Sequence, residues 1–151
     1  MQNLNLPPYD FRHSEDGEGR STIFDPFRKK YVVLTPEEWV RQNFARYLTD
    51  ELAYPASRMM TEVSLKLNRM SKRSDIVVYG RTGEPVLLVE CKAPEVKITG
   101  ATFDQAARYN MVFRVSWLVI TNGLQHYCCF VDFERQKVEF RESIPVFSML
   151  D

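Results

Sequence analysis

The chain has 151 residues, 20 basic and 20 acidic, so its formal net charge is zero; 44% of its residues are apolar and 26% are charged. That length and balance suit one soluble globular domain, and zero charge gives bulk electrostatics nothing to say for nucleic acid or an acidic surface. The longest apolar runs, VLLV (86–89) and WLVI (117–120), fall far short of the roughly 20 residues that cross a bilayer, and MQNLNLPPYD lacks the basic start and apolar stretch of a secretory leader. A cytoplasmic protein without a membrane partner is expected.

Residues 1–34 combine turn chemistry, LPPYD and SEDGEG, with IFDPFRKKYVVL, which suits one or two short strands. They are expected to form an N-terminal extension packed on a core domain, residues 35–151. At TPEEWVRQNFARYLTDEL a helix begins: Thr35 as N-cap, Pro36 at the first position and Glu38 three residues after the cap. Val40, Phe44, Tyr47, Leu48 and Leu52 recur at helical spacing. At about 100° per residue Glu37 lies on that stripe and Glu38 off it, which gives Glu38 a capping role and leaves Glu37 for other work. TEVSLKL (61–67), DIVVY (75–79) and VLLVECK (86–92) then read as three antiparallel strands, the last two joined by GRTGEP. Phe103, Ala106, Ala107, Asn110 and Met111 mark a second helix, SWLVITN a buried strand, and QHYCCFVDFERQKVEF two further strands around FERQ. The expected fold class is α/β: helix, three-strand meander, helix and strand, with a C-terminal hairpin.

Asp75 opens DIVVY, and Glu90 and Lys92 close the next strand on one face, with Cys91 on the other. An antiparallel pair brings these ends together. Two carboxylates and a lysine match metal-assisted phosphodiester hydrolysis: hard oxygens hold Mg²⁺, and an amine orients water or offsets charge on phosphate. The plainer reading is a strand-end salt bridge. Cys91, Cys128 and Cys129 have neither a disulfide count nor a metal spacing and read as buried thiols. Over residues 58–73, Arg58, Lys66, Arg69, Lys72 and Arg73 oppose only Glu62, so Lys72 and Arg73 are candidate phosphate contacts. His126 has no ligand partner at a useful spacing and reads as a surface or packed histidine.

Asp75, Glu90, Cys91 and Lys92, set within helix, three strands, helix and strand, resemble the PD-(D/E)XK nuclease superfamily over residues 35–121, with Ser74 where the name-giving proline would stand. Gln105 and Tyr109 resemble the QxxxY feature of its RecB-like branch. More closely, TPEEWVRQ, DIVVYGRTGEPVLLVECKAP, FDQAARYN and LVITNG resemble the N-terminal nuclease domain of type I restriction enzyme R subunits. The resemblance implies a restriction-endonuclease-like core with a mixed central sheet flanked by helices. It implies Mg²⁺, or Mn²⁺ in its place, held by Asp75, Glu90, the carbonyl of Cys91 and Glu37, with Lys92 acting on the water. Gln105 and Tyr109 would position metal ligands or the DNA backbone. The implied activity is a Mg-dependent deoxyribonuclease of restriction-modification, endonuclease rather than exonuclease. No GxxxxGK[ST] phosphate loop occurs in these residues, so a motor or specificity subunit would be a separate partner, and a homodimer would suit cleavage of two strands. The alternative is a non-catalytic module of the same fold that binds nucleic acid or a partner.

Overall fold

The computed structural model describes residues 1–150 and arranges them as three strands, a helix, three strands, a helix and three strands. β1 (His13–Glu15), β2 (Ser21–Asp25) and β3 (Lys30–Val33) form a small antiparallel sheet. β1 was not expected, for the physical reason that HSE has no apolar alternation and the strand exists through its pairing with β2. α1 (Pro36–Asp50) starts where the Thr35 hydroxyl accepts the Glu38 N–H at 3.0 Å. Its stripe forms as the spacing predicts, with Val40, Phe44 and Leu48 fully buried.

The main sheet runs in the order β4 (Met59–Leu67), β5 (Met70–Tyr79), β6 (Pro85–Cys91), β7 (Trp117–Thr121), β8 (His126–Asp132) and β9 (Lys137–Arg141). β6 and β7 pair in parallel because α2 (Gly100–Phe113) crosses between them; the other pairs are antiparallel. Leu87, Leu88 and Val89 on β6 and Leu118, Val119 and Ile120 on β7 are all fully buried, since helices cover both faces of the sheet centre. On one face Ile76, Val78, Leu87, Val89, Val119 and Cys128 join Val40, Phe44 and Leu48 of α1. On the other Leu118, Ile120, Cys129 and Val131 join Phe103, Ala106 and Ala107 of α2. Each fully buried Leu, Ile or Phe contributes about 1.5–3 kcal/mol. The adjacent cysteines thus take opposite faces, and burial pushes both thiols up to about 12.

Two departures shape the site. β5 begins at Met70, so Asp75 lies inside the strand and does not open it; polar SKRS carries no strand signal and is extended by pairing, Leu67 with Met70 and Lys66 with Ser71. The β4–β5 ladder also lapses between Thr61↔Ile76 and Val63↔Ser74, where Glu62 adopts a left-handed backbone at φ 53°. Alternation reverses there: Met59 joins the α1 cluster, whereas Val63 and Leu65 pack with Val77 and Leu88 on the opposite side. A non-glycine residue in that region costs roughly 1–2 kcal/mol, offset here by the ion pairs Glu62 makes.

Candidate functional site

Asp75 and Glu90 stand one step beyond Ile76↔Val89, so the β5–β6 pairing sets their backbones on neighbouring strands. Asp75 divides its carboxylate: one oxygen accepts the Cys91 backbone N–H at 2.7 Å, the other meets Arg41 Nη2 at 2.7 Å. Glu90 faces the other side, toward α2, where its Oε1 lies 2.9 Å from Lys72 Nζ. That ion pair is made with little solvent around it, since both side chains are largely buried. Burial raises the Glu90 pKa against the pull of Lys72, and the charge of Asp75 raises it further.

Lys72 was expected at phosphates; it folds inward instead, with 16% of its side chain exposed, between Glu90 and the Tyr109 ring, 4.7 Å from the ring centroid. Arg73 points outward and pairs with Glu62. Glu90, Lys92, Gln105 and Tyr109 line one small cleft of about 80 Å³ with Lys72, Thr102, Ala106 and Ile120. Lys92 makes no ion pair among the described residues, and its charge lowers the proton affinity of both Glu37 and Glu90. The Cys91 thiol is buried, and desolvation with the neighbouring Asp75 pushes its pKa well up, so only its backbone serves the site.

The first turn of α1 corrects the helical-wheel expectation. Glu38, placed off the stripe as a cap, is buried; Glu37, placed on it, is 48% exposed. The Glu38 side chain caps nothing, because it accepts from Arg28, Arg41 and Gln42 at 2.8, 2.6 and 2.9 Å. The N-terminal sheet closes over that flank of the helix and supplies Arg28. Glu37 nonetheless reaches the site: it meets Arg41 at 3.2 Å, and burial together with the Asp75 charge raises its pKa while Arg41 and Lys92 oppose the rise.

Arg41, singled out by nothing in the sequence pattern, is the centre of this arrangement. Its guanidinium pairs with Glu37, Glu38, Glu62 and Asp75 while 6% of the side chain is exposed. Burial works against its charge, but Asp75 and Glu38 outweigh that and hold it protonated. Glu38 passes the chain of charges to Arg28 and on to Asp25, a fully buried carboxylate that also accepts from Thr61 at 2.8 Å. The Glu37–Arg41 and Glu38–Arg41 contacts follow helical spacing and were readable in principle; the links to Asp75, Glu62 and Arg28 are tertiary.

Among the described residues no group of three or more His, Cys, Asp or Glu side chains is arranged to hold a metal ion. Asp75 and Glu90 stand on neighbouring strands but turn to opposite sides, Asp75 toward Arg41 of α1 and Glu90 toward Lys72 and α2. Carboxylate oxygens are the hard donors that Mg²⁺ takes, one or two from the protein with several waters kept, and the Glu90 carboxylate, paired with Lys72, lines the cleft.

The profile of the type I restriction enzyme R protein N terminus (HSDR_N) matches residues 36–145. The chain belongs to that family. No curated protein matches it. Among solved structures it is similar to a fragment assigned as an HsdR subunit of a type I restriction enzyme from Vibrio vulnificus YJ016, with TM-score 0.54 and 18% identity. The alignment covers 78% of this chain and 24% of that one, a likeness of fold in which this chain spans about a quarter of its relative. The part matched to the R-protein N terminus runs from the first residue of α1 to beyond β9 and contains Glu37, Arg41, Glu62, Asp75, Glu90, Lys92, Gln105 and Tyr109. Asp25 and Arg28 lie before it, so the ion-pair chain joins family and non-family parts of the molecule.

Proposed function

We propose that this R-protein N-terminal domain is a metal-dependent deoxyribonuclease module of PD-(D/E)XK type, with residues 35–151 as its nuclease-like domain and 1–34 as an extension. The observation that carries this is the cleft in which Glu90 and Lys92 of one strand meet Gln105 and Tyr109 of α2, with Asp75 beside them on β5. Asp75 and Glu90 would hold Mg²⁺ or Mn²⁺, with Glu37 at the rim and the Cys91 carbonyl as further oxygen donors. Once bound, such a cation polarises a phosphoryl oxygen and lowers the pKa of a water. Lys92, the unpaired cation of the cleft, orients that water and offsets charge developing on phosphate. Gln105 and Tyr109 hold the strand backbone. Lys72 holds Glu90 in place, and Arg41 does the same for Asp75. DNA is the substrate, and a homodimer would place one such site on each strand.

Incubation with supercoiled, linear and single-stranded DNA in Mg²⁺ or Mn²⁺ tests this. Nicking of the supercoiled circle is expected, with Asp75→Asn and Lys92→Met each slower by at least about 100-fold. Intact substrates with the wild type under both cations, or equal cutting by the variants, would sink the proposal.

One observation favours a second reading, a non-catalytic module that binds nucleic acid or a partner: each carboxylate already carries a protein cation, Arg41 on Asp75 and Lys72 on Glu90. Calorimetry separates the two. Mg²⁺ binding that disappears in Asp75→Asn belongs to the nuclease, and DNA binding indifferent to Mg²⁺ belongs to the module.

A further inference from the structure

The β4–β5 hairpin tip and the outer face of α2 enclose a second, larger space of about 510 Å³, lined by Met70, Ala101, Gln105, Arg108, Tyr109 and Val112. Its size is that of a small-molecule site, on the order of 300–1,000 Å³. Gln105 and Tyr109 line both this groove and the Glu90–Lys92 cleft, so the two spaces share a wall. We propose that the groove binds a nucleobase unstacked from the DNA strand whose backbone occupies the cleft. This rests on the nuclease reading and adds to it.

The chemistry of the walls selects that occupant. Met70 and Val112 leave 45% and 38% of their surface exposed, an apolar cost that an intact duplex does not relieve, because a duplex presents phosphate and sugar and hides its base faces in the stack. An unstacked base has a flat apolar face to cover, and aromatic and adaptable side chains such as Tyr109 and Met70 cover it whatever its sequence. Gln105 offers an amide to a base edge. The rim suits a polyanion: Arg108 stands in the wall, and Lys66 and Arg69 at the hairpin tip make no ion pair among the described residues. The only acid of α2, Asp104, does not line the groove.

The test is fluorescence anisotropy of the full chain, with Ca²⁺ replacing Mg²⁺, against a short labelled oligothymidylate, an abasic oligonucleotide of equal length and a blunt duplex. The oligothymidylate is expected to bind at least about tenfold more tightly than the abasic strand. Ala101→Phe, at an exposed position of the first turn of α2, fills the groove and erases that difference while leaving abasic binding unchanged. Val112→Ser, which removes apolar wall without filling space, narrows it in the same direction, and melting curves confirm that both variants fold. Equal affinity for the base-bearing and abasic strands, or no change in either variant, overturns the groove assignment and leaves the nuclease reading to its own cleavage test. Concentration-dependent dimerisation abolished by Ala101→Phe also overturns it, since a second copy would then be the occupant. Failure to bind any of these DNAs overturns both proposals together.

Discussion

Arg41 shows how one residue organises a site. Two nitrogens of its guanidinium reach four carboxylates, three of them 16% exposed or less. A planar fork does this and an ammonium does not. Replacing Arg41 by Met leaves Glu38 and Asp75 charged and without their shared cation, and breaking a buried pair by removing one partner costs about 3–5 kcal/mol. The Arg41→Met variant should therefore unfold at a markedly lower urea concentration, with Arg41→Lys between it and the wild type. A loss under about 1 kcal/mol would show that the network adds little to stability. Glu90 and Lys92 were legible as a pair because strand alternation puts them on one side, where both line the cleft; Asp75 was legible only as a strand residue nearby, since it turns to Arg41 on the other side. Arg41 was not, because its partners come from α1, β4 and β5 and no local period joins those elements.

The same contrast runs through the elements. The buried stripe of α1 and the apolar runs of β6 and β7 declare themselves, since burial on one stripe or on both faces is written in periodicity. The first turn of α1 does not: a helical wheel places Glu37 inward, and the second sheet, packing Arg28 over that flank, buries Glu38 instead. The Thr35 cap fixes the register of that turn and thus of Glu37, Glu38 and Arg41. Thr35→Ala should lower stability by about 1 kcal/mol, read as a fall in melting temperature; an unchanged melting curve would mean that the Arg41 ion pairs hold the turn unaided. On β4, Glu62 is invisible as a kink because TEVSLKL alternates well on paper; ion pairing to Arg41 and Arg73 overrides the alternation.

At the scale of the whole molecule, the first residues strap across the sheet end that follows β7. Asn5 donates to the Gly123 carbonyl at 2.8 Å, Leu4 and Leu6 pack on the core, and Trp39 Nε1 donates to the Gln2 carbonyl at 2.8 Å. Gly123 is required there: its φ is 85°, and a Cβ would come within 2.7 Å of Leu4. His126 completes the strap, with Nε2 at 2.9 Å from the Asn5 carbonyl and Nδ1 at 2.6 Å from the Thr121 hydroxyl. Burial lowers its pKa from 6.5, partly opposed by the Asn5 carbonyl. Below that value the unfolded chain binds the proton more readily than the folded one, so stability present above pH 6.5 is lost as pH falls through it toward the depressed folded value. Melting temperature should fall between about pH 7 and pH 5 in the wild type and less steeply in His126→Gln; identical slopes would assign the fall to other groups.

The order of elements from α1 to β9, the two-faced core and the shared side of Glu90 and Lys92 were readable in the chain, because each follows from periodicity within an element or from a short connection between two. The burial of Glu38, the inward turn of Lys72, the left-handed Glu62 and the reach of Arg41 belong to the assembled fold. A charged side chain goes where its partners stand, and those partners are brought to it by elements far apart in sequence.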